Sequence, residues 1–302
     1  MNVLINGASG YIGYHLTKSM LDAGHSVYAV CRRSTGHLDE FSDNERLHTI
    51  TTSQDKLKDK IYDPDIQVWY QLLWDGALGE KRTDPVLQIT NEILYVNALK
   101  TAEKIGCKKI IFTGTVYEKF YDDIISGGEF NKHSFYIISK KHAHDMTFQL
   151  SKNMKIDYIW TQFCHPVGKY MNRDQLFPYA INAFKNNLPT SFGSCNNWFD
   201  IISVKYLADC LRILGEKETD RNLYYIGSGD PKRLREYIEE AAEICEYSLP
   251  IGFGERPDDG LIFRKEWFDT TEFEQEANLM YDEDSYNVFE NIKNIIIGVE
   301  NK

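Results

Sequence analysis

The sequence predicts an α/β fold, a doubly wound parallel sheet with a smaller C-terminal α/β lobe, and three observations carry that prediction. Short apolar strands alternate with amphipathic helical stretches through the first half of the chain, as in successive βαβ units. The first strand runs straight into a glycine-rich turn, Val3-Leu-Ile-Asn-Gly7-Ala-Ser-Gly10-Tyr-Ile-Gly13. Beyond Pro166 the alternation weakens, and at 302 residues the chain is long for a single core.

In chain order, strands are expected at Asn2–Asn6, Ser26–Cys31, Leu47–Thr51, Val68–Leu73, Lys109–Thr113 and Tyr158–Phe163. The intervening helices run from about Tyr11 to Ala23, Asn91 to Ile105 and Phe135 to Ser151. After Pro166, Phe177–Asn187 reads as a helix, Leu223–Gly227 as a strand, and Leu234–Ile244 as a further helix. The expected organisation is a dinucleotide-binding domain over residues 1–165, to which 199–230 returns, and a substrate-binding lobe made of 166–198 and 231–302.

Composition bounds the function. Hydrophobic residues make up 42% and charged residues 26%, ordinary for a globular chain, and there is no repeat or low-complexity tract. A formal charge of −11 argues against a nucleic-acid or anionic-membrane surface, while leaving room for a local basic pocket. No stretch approaches a membrane span, and a first strand beginning at Asn2 or Val3 leaves no space for a signal peptide, so a cytoplasmic protein is expected. The six cysteines are scattered without a Cys-x-x-Cys pair and read as reduced thiols. His142 and His144, two apart on a helix, point to different faces, and no metal site is expected.

In an open parallel sheet, ligands bind beyond the carboxyl ends of the strands where strand order reverses. Gly7 and Gly10 end the first strand there, Arg32 and Arg33 follow the second, and Thr113 to Thr115 close the fifth. Gly7 permits a tight turn, Gly10 lets backbone approach a pyrophosphate, and Gly13 allows close helix–strand packing. Around them Ser9, Tyr11 and Ile12 form the helix N-terminus, whose free amides face the anion. This is a dinucleotide site of the Rossmann type, although the spacing is Gly-x-x-Gly-x-x-Gly. An acidic residue after the second strand would take an adenosine 2′-hydroxyl; Arg32-Arg33 instead suits a 2′-phosphate, favouring NADP(H) over NAD(H). The alternative leaves one arginine in water and the other stacked on adenine.

Tyr-x-x-x-Lys occurs twice, at Tyr14–Lys18 and Tyr136–Lys140, in a chain with 19 tyrosines. Tyr14 lies in the helix after the glycine turn, where it packs on the sheet. Tyr136-Ile-Ile-Ser-Lys140, after the fifth strand, is the candidate pair. Together with the glycine turn, Lys109-Ile-Ile-Phe-Thr-Gly-Thr115, Asn91, Trp198-Phe-Asp-Ile-Ile-Ser-Val204, Tyr225-Ile-Gly-Ser-Gly229 and Leu234-Arg-Glu-Tyr237, it resembles the extended short-chain dehydrogenase/reductase family. Within it, the nucleotide-sugar epimerases, dehydratases and 4-keto reductases are similar across most of the chain.

The resemblance implies an enzyme in which Tyr136 carries a proton while hydride moves at a sugar carbon. A phenol near pKa 10 needs help, and Lys140, one turn along, supplies positive charge; by the resemblance it also bonds the nicotinamide ribose. Two threonines compete to hold the reacting oxygen. Counting along the strand selects Thr115, whereas anchoring on Tyr117 selects Thr113; Thr115 is preferred because Glu118 stands where the family has glycine. Leu73 and Trp74, ending the fourth strand, fall beside the cofactor, and Trp74 either lines the site or packs beside it. His165 is a candidate for the nicotinamide carboxamide, or a structural histidine; Tyr117 falls at the substrate. The substrate's diphosphate calls for cations, of which Arg256 is the family-like one and Arg173 and Lys185 weaker ones.

The Asp-Glu pair that sugar dehydratases carry after the catalytic threonine is replaced by Val116-Tyr117, and the cysteine of 3,5-epimerising relatives is missing. What remains needs only threonine, tyrosine and lysine. The leading expectation is an NADPH-dependent reductase of a 4-keto sugar nucleotide. The alternatives are a 4-epimerase with retained NAD and a non-catalytic dinucleotide-binding protein. The helices opening near Asn91 and Phe135 resemble those that pair across a two-fold axis in the family, so a homodimer is expected.

Overall fold

In the computed structural model the chain is described over residues 1–288, apart from 33, 62–64, 128, 173–174 and 283. It divides into two compact units, residues 1–162 with 208–224, and residues 163–207 with 225–302.

The first unit is built on a seven-stranded sheet. Its strands are β1 (Asn2–Asn6), β2 (Ser26–Cys31), β3 (Leu47–Thr51), β4 (Val68–Gln71), β5 (Lys109–Thr113), β6 (Asp157–Gln162) and, after β7 (His165–Val167), β8 (Trp198–Phe199) and β9 (Ile201–Ser203) of the second unit, β10 (Leu223–Tyr225). The order is β10-β6-β5-β4-β1-β2-β3, and the ladder from β3 through β6 is parallel throughout. The chain moves outward from β1 to β3 and then restarts on the other side of β1 with β4, so strand order reverses between β1 and β4. Parallel strands covered on both faces read as unbroken apolar runs, and every residue of β4 and β5 is buried. Lys109 is tolerated in β5 because its Nζ donates to the carbonyls of Leu214 and Lys217, at the end of α6 (Val204–Glu216).

Three helices of this unit matter for the site: α1 (Tyr11–Asp22), α2 (Pro85–Lys104) and, after the short α3 (Tyr121–Ser126), α4 (Ser134–Ser151). Against the expected start near Asn91, α2 begins at Pro85. Asp84 caps it, its carboxylate accepting from Val86 N at 3.0 Å and Leu87 N at 3.1 Å, with proline at the first helical position. The α2 and α4 faces meet the sheet in a core of Leu4, Trp69, Tyr95, Leu99, Phe112 and Trp160.

In the second unit α5 (Leu176–Lys185) and α7 (Leu234–Ile244) share a core of Phe184, Phe192, Ile238 and Ala241. Two small sheets, β7 with β9 and β8 with β11 (Lys232–Arg233), and α8 (Thr271–Ala277) complete it. The helix α6 was not anticipated from the sequence, although Val204, Leu207, Ala208, Leu211 and Leu214 recur at helical spacing and are all buried. No helix among the described residues is long and apolar enough to cross a membrane.

Candidate active site

The glycine turn closes β1 onto α1. Gly7 has φ +95°, a left-handed conformation that glycine adopts freely, and a Cβ there would stand 3.1 Å from Leu73 N. A Cβ on Gly13 would lie 2.2 Å from Gly7 O and 2.7 Å from Ala8 Cα. The turn is thus fitted to glycine, and it lies at the β1–β4 reversal with Leu73 against it. Gly7 and Ala8 amides are held by Val30 O at 3.2 Å each, which leaves the first-turn amides of α1, at Tyr11 and Ile12, without intrahelical partners. Ser9 lies by the Cys31 thiol, which burial pushes up and Ser9 holds back. This turn, with its helix N-terminus, could hold a pyrophosphate.

Arg32, just past β2, has its guanidinium Nη1 3.0 Å from Asp75 Oδ2. Hydrogen bonding from Arg32 and then Lys81 holds the Asp75 carboxyl below its usual range. Arg33 and Arg173 lie outside the described residues.

At the carboxyl end of β5 the two threonines face different ways. Thr113 Oγ1 donates to Gln71 O at 3.3 Å and lies 3.5 Å from Tyr95 Oη. The Thr115 hydroxyl instead acts on the Tyr136 phenol, holding its pKa down against burial. Thr115 caps the turn Val116–Phe120, its Oγ1 accepting from Tyr117 N at 3.3 Å while its own amide donates to Glu118 Oε1 at 2.7 Å. That reciprocal arrangement is the capping box of a Thr-x-x-Glu sequence.

Glu118 is 2% exposed and is tied by Trp160 Nε1, 3.1 Å from both carboxylate oxygens, and by Gln162 Nε2 at 2.9 Å. Burial pushes its carboxyl up, against those hydrogen bonds. Gly114 is dictated by the same cluster, since a Cβ there would meet Trp160 Nε1 at 2.1 Å and Glu118 Oε1 at 2.4 Å.

Tyr136 and Lys140 sit on successive turns of α4, both buried. Lys140 Nζ donates to Thr113 O at 2.8 Å and to Tyr95 Oη at 3.3 Å, and stands 3.8 Å from the centre of the Trp74 ring. Burial pushes the Lys140 ammonium down and the Glu118 charge pulls it back up. Burial raises the Tyr136 phenol; the principal opposing influence is the charge of the Arg82 guanidinium, followed by the Thr115 hydroxyl. Trp74 meets Tyr136 edge to face at 6.1 Å and donates from Nε1 to Gln88 Oε1 at 2.9 Å, so its ring packs beside the tyrosine–lysine pair. Tyr117 faces Tyr136 with ring centres 6.4 Å apart.

Structure thus brings Thr115, Tyr117, Tyr136, Lys140 and Trp74 together, with Leu73 beside the glycine turn. His165 and Arg256 belong to the second unit. The His165 ring lies beside Phe177 and Phe199, and Arg256 is exposed with Nε donating to Ser191 Oγ at 3.2 Å. Sequence reasoning missed Glu118, Arg82, and the buried pair Gln88 and Asn91. Asn91, noted only as a helix start, brackets Asp75: its Oδ1 accepts from Asp75 N at 2.9 Å and its Nδ2 donates to Asp75 O at 2.8 Å. Glu118 had a legible signal in Thr115-Val-Tyr-Glu118. Arg82 sits on the short 3-10 turn Gly79–Thr83 and had none.

A curated relative, the dTDP-6-deoxy-L-talose 4-dehydrogenase (NAD(+)) of Aggregatibacter actinomycetemcomitans, is 25% identical over 83% of this chain and 92% of its own length. The UDP-glucose 4-epimerase of Halalkalibacterium halodurans is 21% identical over 85% of this chain and 84% of its own. Among solved structures, the UDP-N-acetylglucosamine 4-epimerase from Methanobrevibacter ruminantium M1 superposes with TM-score 0.79 at 18% identity, over 99% of this chain and 98% of that one. The UDP-glucuronic acid 4-epimerase from Bacillus cereus, solved with NAD, gives 0.78 at 17% over 99% of each chain. The sequence profile of the NAD dependent epimerase/dehydratase family matches residues 3–227, three quarters of the chain, and the protein belongs to that family.

Proposed function

We infer that this protein catalyses oxidoreduction at C4 of a nucleotide-linked sugar, running in net terms as reduction of the 4-keto form, with Tyr136 as the proton carrier. The observation that carries this reading is the gathering of Thr115, Tyr136 and Lys140 at the end of β5, where the Thr115 hydroxyl acts on the Tyr136 phenol and Lys140 Nζ lies 2.8 Å from Thr113 O. Two hydroxyls so placed can hold one substrate oxygen and pass its proton. The relative named as a 4-dehydrogenase supports the same half-reaction in the opposite direction.

The glycine turn fits a nicotinamide dinucleotide, because only glycine fills Gly7 and Gly13. Ser9, Gly10, Tyr11 and Ile12 would hold its pyrophosphate, Leu73, Trp74 and Thr113 would flank it, and Lys140 would meet its ribose; His165 would meet its carboxamide. When bound, it supplies or accepts the hydride. Tyr136 gives its proton to the developing alkoxide in reduction, and Thr115 orients that oxygen. Arg32 supports the phosphorylated coenzyme, whereas the NAD of the relatives supports the other. Arg32→Glu measures the choice, as it should reverse any preference for NADP(H). Tyr117 would border the sugar, and Arg256 would pair with the diphosphate. Arg173 is a further cation for it. Val86, Ile89 and Ile93 on α2 and Met146 on α4 are exposed apolar side chains, which supports pairing of two copies through these helices.

The test is a panel of dTDP-6-deoxy-L-talose, UDP-glucose, UDP-N-acetylglucosamine and UDP-glucuronic acid, each with NAD(H) or NADP(H) and without added coenzyme. The reading expects coenzyme-linked absorbance change, and Tyr136→Phe should lower turnover roughly 10²–10⁴-fold with coenzyme binding retained. Inversion at C4 without added coenzyme would establish the 4-epimerase reading, which the 4-epimerase neighbours favour. Coenzyme binding without turnover of any substrate would leave a dinucleotide-binding protein.

A further inference from the structure

Arg82 lies on the 3-10 turn Gly79–Thr83 that follows β4. Its guanidinium carbon stands 4.4 Å from the centre of the Tyr136 ring and 5.0 Å from that of Tyr117. Two contacts fix it there: Nε donates to Ala77 O at 2.6 Å, and Nη1 lies 2.8 Å from His133 Nδ1. The loop that carries it is held in turn by two buried carboxamides of α2. Gln88 Nε2 donates to Gly76 O and Lys81 O at 3.0 Å each, and Asn91 brackets Asp75. A cation on an exposed loop ordinarily spends its charge in water; this one is clamped against an aromatic ring.

Lys140 is placed differently. Its Nζ is engaged by Thr113 O and Tyr95 Oη. The other groups facing Tyr136 are Thr115, Tyr117 and Glu118 after β5, Trp74 after β4 and Tyr95 of α2, while His133, before α4, lies beside Tyr117 and Arg82. Of all these groups and Arg82, only the arginine keeps a charge at every accessible pH.

We propose that Arg82 is a positioning residue for the acid–base step, its guanidinium held over the Tyr136 ring so that positive charge is in place when the phenol gives up its proton. This rests on the reading of Tyr136 as the acid–base group. In oxidation, the substrate O–H bond breaks as the phenol O–H forms and hydride leaves C4 for the oxidised coenzyme; in reduction the same proton and hydride return. A cation over the ring favours the phenolate.

The test follows Tyr136 directly. In full-length protein carrying isotope-labelled tyrosine and saturated with NAD⁺, the Tyr136 ring resonance is identified by its loss in Tyr136→Phe and titrated by NMR, with the pH profile of dTDP-6-deoxy-L-talose oxidation recorded in parallel. In Arg82→Gln the midpoint should move to higher pH by about one unit or more. Arg82→Lys should recover at least half of that shift. A midpoint unmoved in Arg82→Gln overturns the proposal, as does an equal shift in the lysine and glutamine variants, which would mark a merely structural role. Undiminished turnover by Tyr136→Phe would instead bring down the assignment of Tyr136 itself.

Discussion

Gly114→Ala tests whether the threonine that faces Tyr136 is positioned by the buried cluster beneath it. The new methyl would be placed 2.1 Å from Trp160 Nε1, 2.7 Å from Trp160 Cε2 and 2.4 Å from Glu118 Oε1. These distances fall well inside ordinary contact, which begins at 3.4 Å, and neither neighbour can easily retreat. Trp160 is fully buried and packs on Tyr95, Phe112 and His144, while Glu118 is fixed by three donors. Overpacking of such a site costs about 1–3 kcal/mol, and loss of a charge-assisted bond about 1.5–3 more, giving roughly 3–6 kcal/mol. At about 2–4 °C for each kcal/mol, the midpoint of thermal unfolding should drop by roughly 10 °C or more. Turnover measured below that temperature should fall by about 10²-fold, because Thr115 is displaced from Tyr136 by up to an ångström. Trp160→Phe removes the indole edge that the methyl would strike. In a double-mutant cycle followed by urea unfolding, the two substitutions should therefore couple by about 1–3 kcal/mol, the double variant being less destabilised than additivity requires. A Gly114→Ala protein within 0.5 kcal/mol of the parent, or an additive cycle, would refute this account of why glycine stands between the two threonines.

Two further predictions follow from the same region. Thr115→Val should lower turnover by about 10²-fold or more while sparing coenzyme affinity, whereas Thr113→Val, whose hydroxyl is spent on Gln71 O, should lower turnover by less than tenfold; steady-state kinetics of both variants would reverse the assignment if Thr113→Val were the more damaging. Burial holds the His144 imidazole neutral, with its pKa pushed down to about 4, beside Glu118 at 3.7 Å and stacked on Trp160. An unfolded histidine takes its proton near pH 6.5, so the contribution of the neutral ring is present above that pH and is lost as pH falls toward 4, by about 3 kcal/mol. His144→Phe should flatten that part of the stability profile, measured as the difference from the parent so that the opposite trend of Glu118 cancels; an unchanged slope would reject the assignment.

The parts of this fold legible in the sequence are those written in local patterns. Four strands, β1, β2, β3 and β5, fall where their apolar runs predict, and the glycine turn reads directly, because the left-handed backbone of Gly7 and the contact at Gly13 admit no other residue. The start of α2 was misplaced, since the Asp84-Pro85 cap precedes the apolar pattern and only its side-chain geometry reveals it. The strand β4 stops two residues short of the expected Leu73, because Leu72 onward turns against Gly7 and Asn91. The choice between Thr113 and Thr115 was open to counting and is decided by direction: the strand ends at Thr113, and Gly114 turns the chain so that the next hydroxyl faces α4. Arg82 was invisible because its role depends on a loop fold set by Gln88 and Asn91, residues that look like ordinary polar helix positions in the sequence.

These supports divide the candidate site into two halves with separate origins. Thr115 depends on Glu118, Trp160 and Gln162, all from β5, β6 and the turn between β5 and α3. Trp74 and Arg82 depend on Gln88 and Asn91, from α2. Tyr136 lies where the halves meet, with the Thr115 hydroxyl acting on its phenol and a cation over its ring. Buried polar groups are costly unless satisfied, and here Glu118, Gln88 and Asn91 each bond backbone of the loop they hold. The consequence is that loss of one half leaves the other standing. A disturbed α2 clamp alters the charge around Tyr136 with Thr115 still in place, whereas a disturbed Glu118 cluster moves Thr115 with Arg82 still over the ring. Orientation and charge at one phenol are thus set by two independent parts of the sequence.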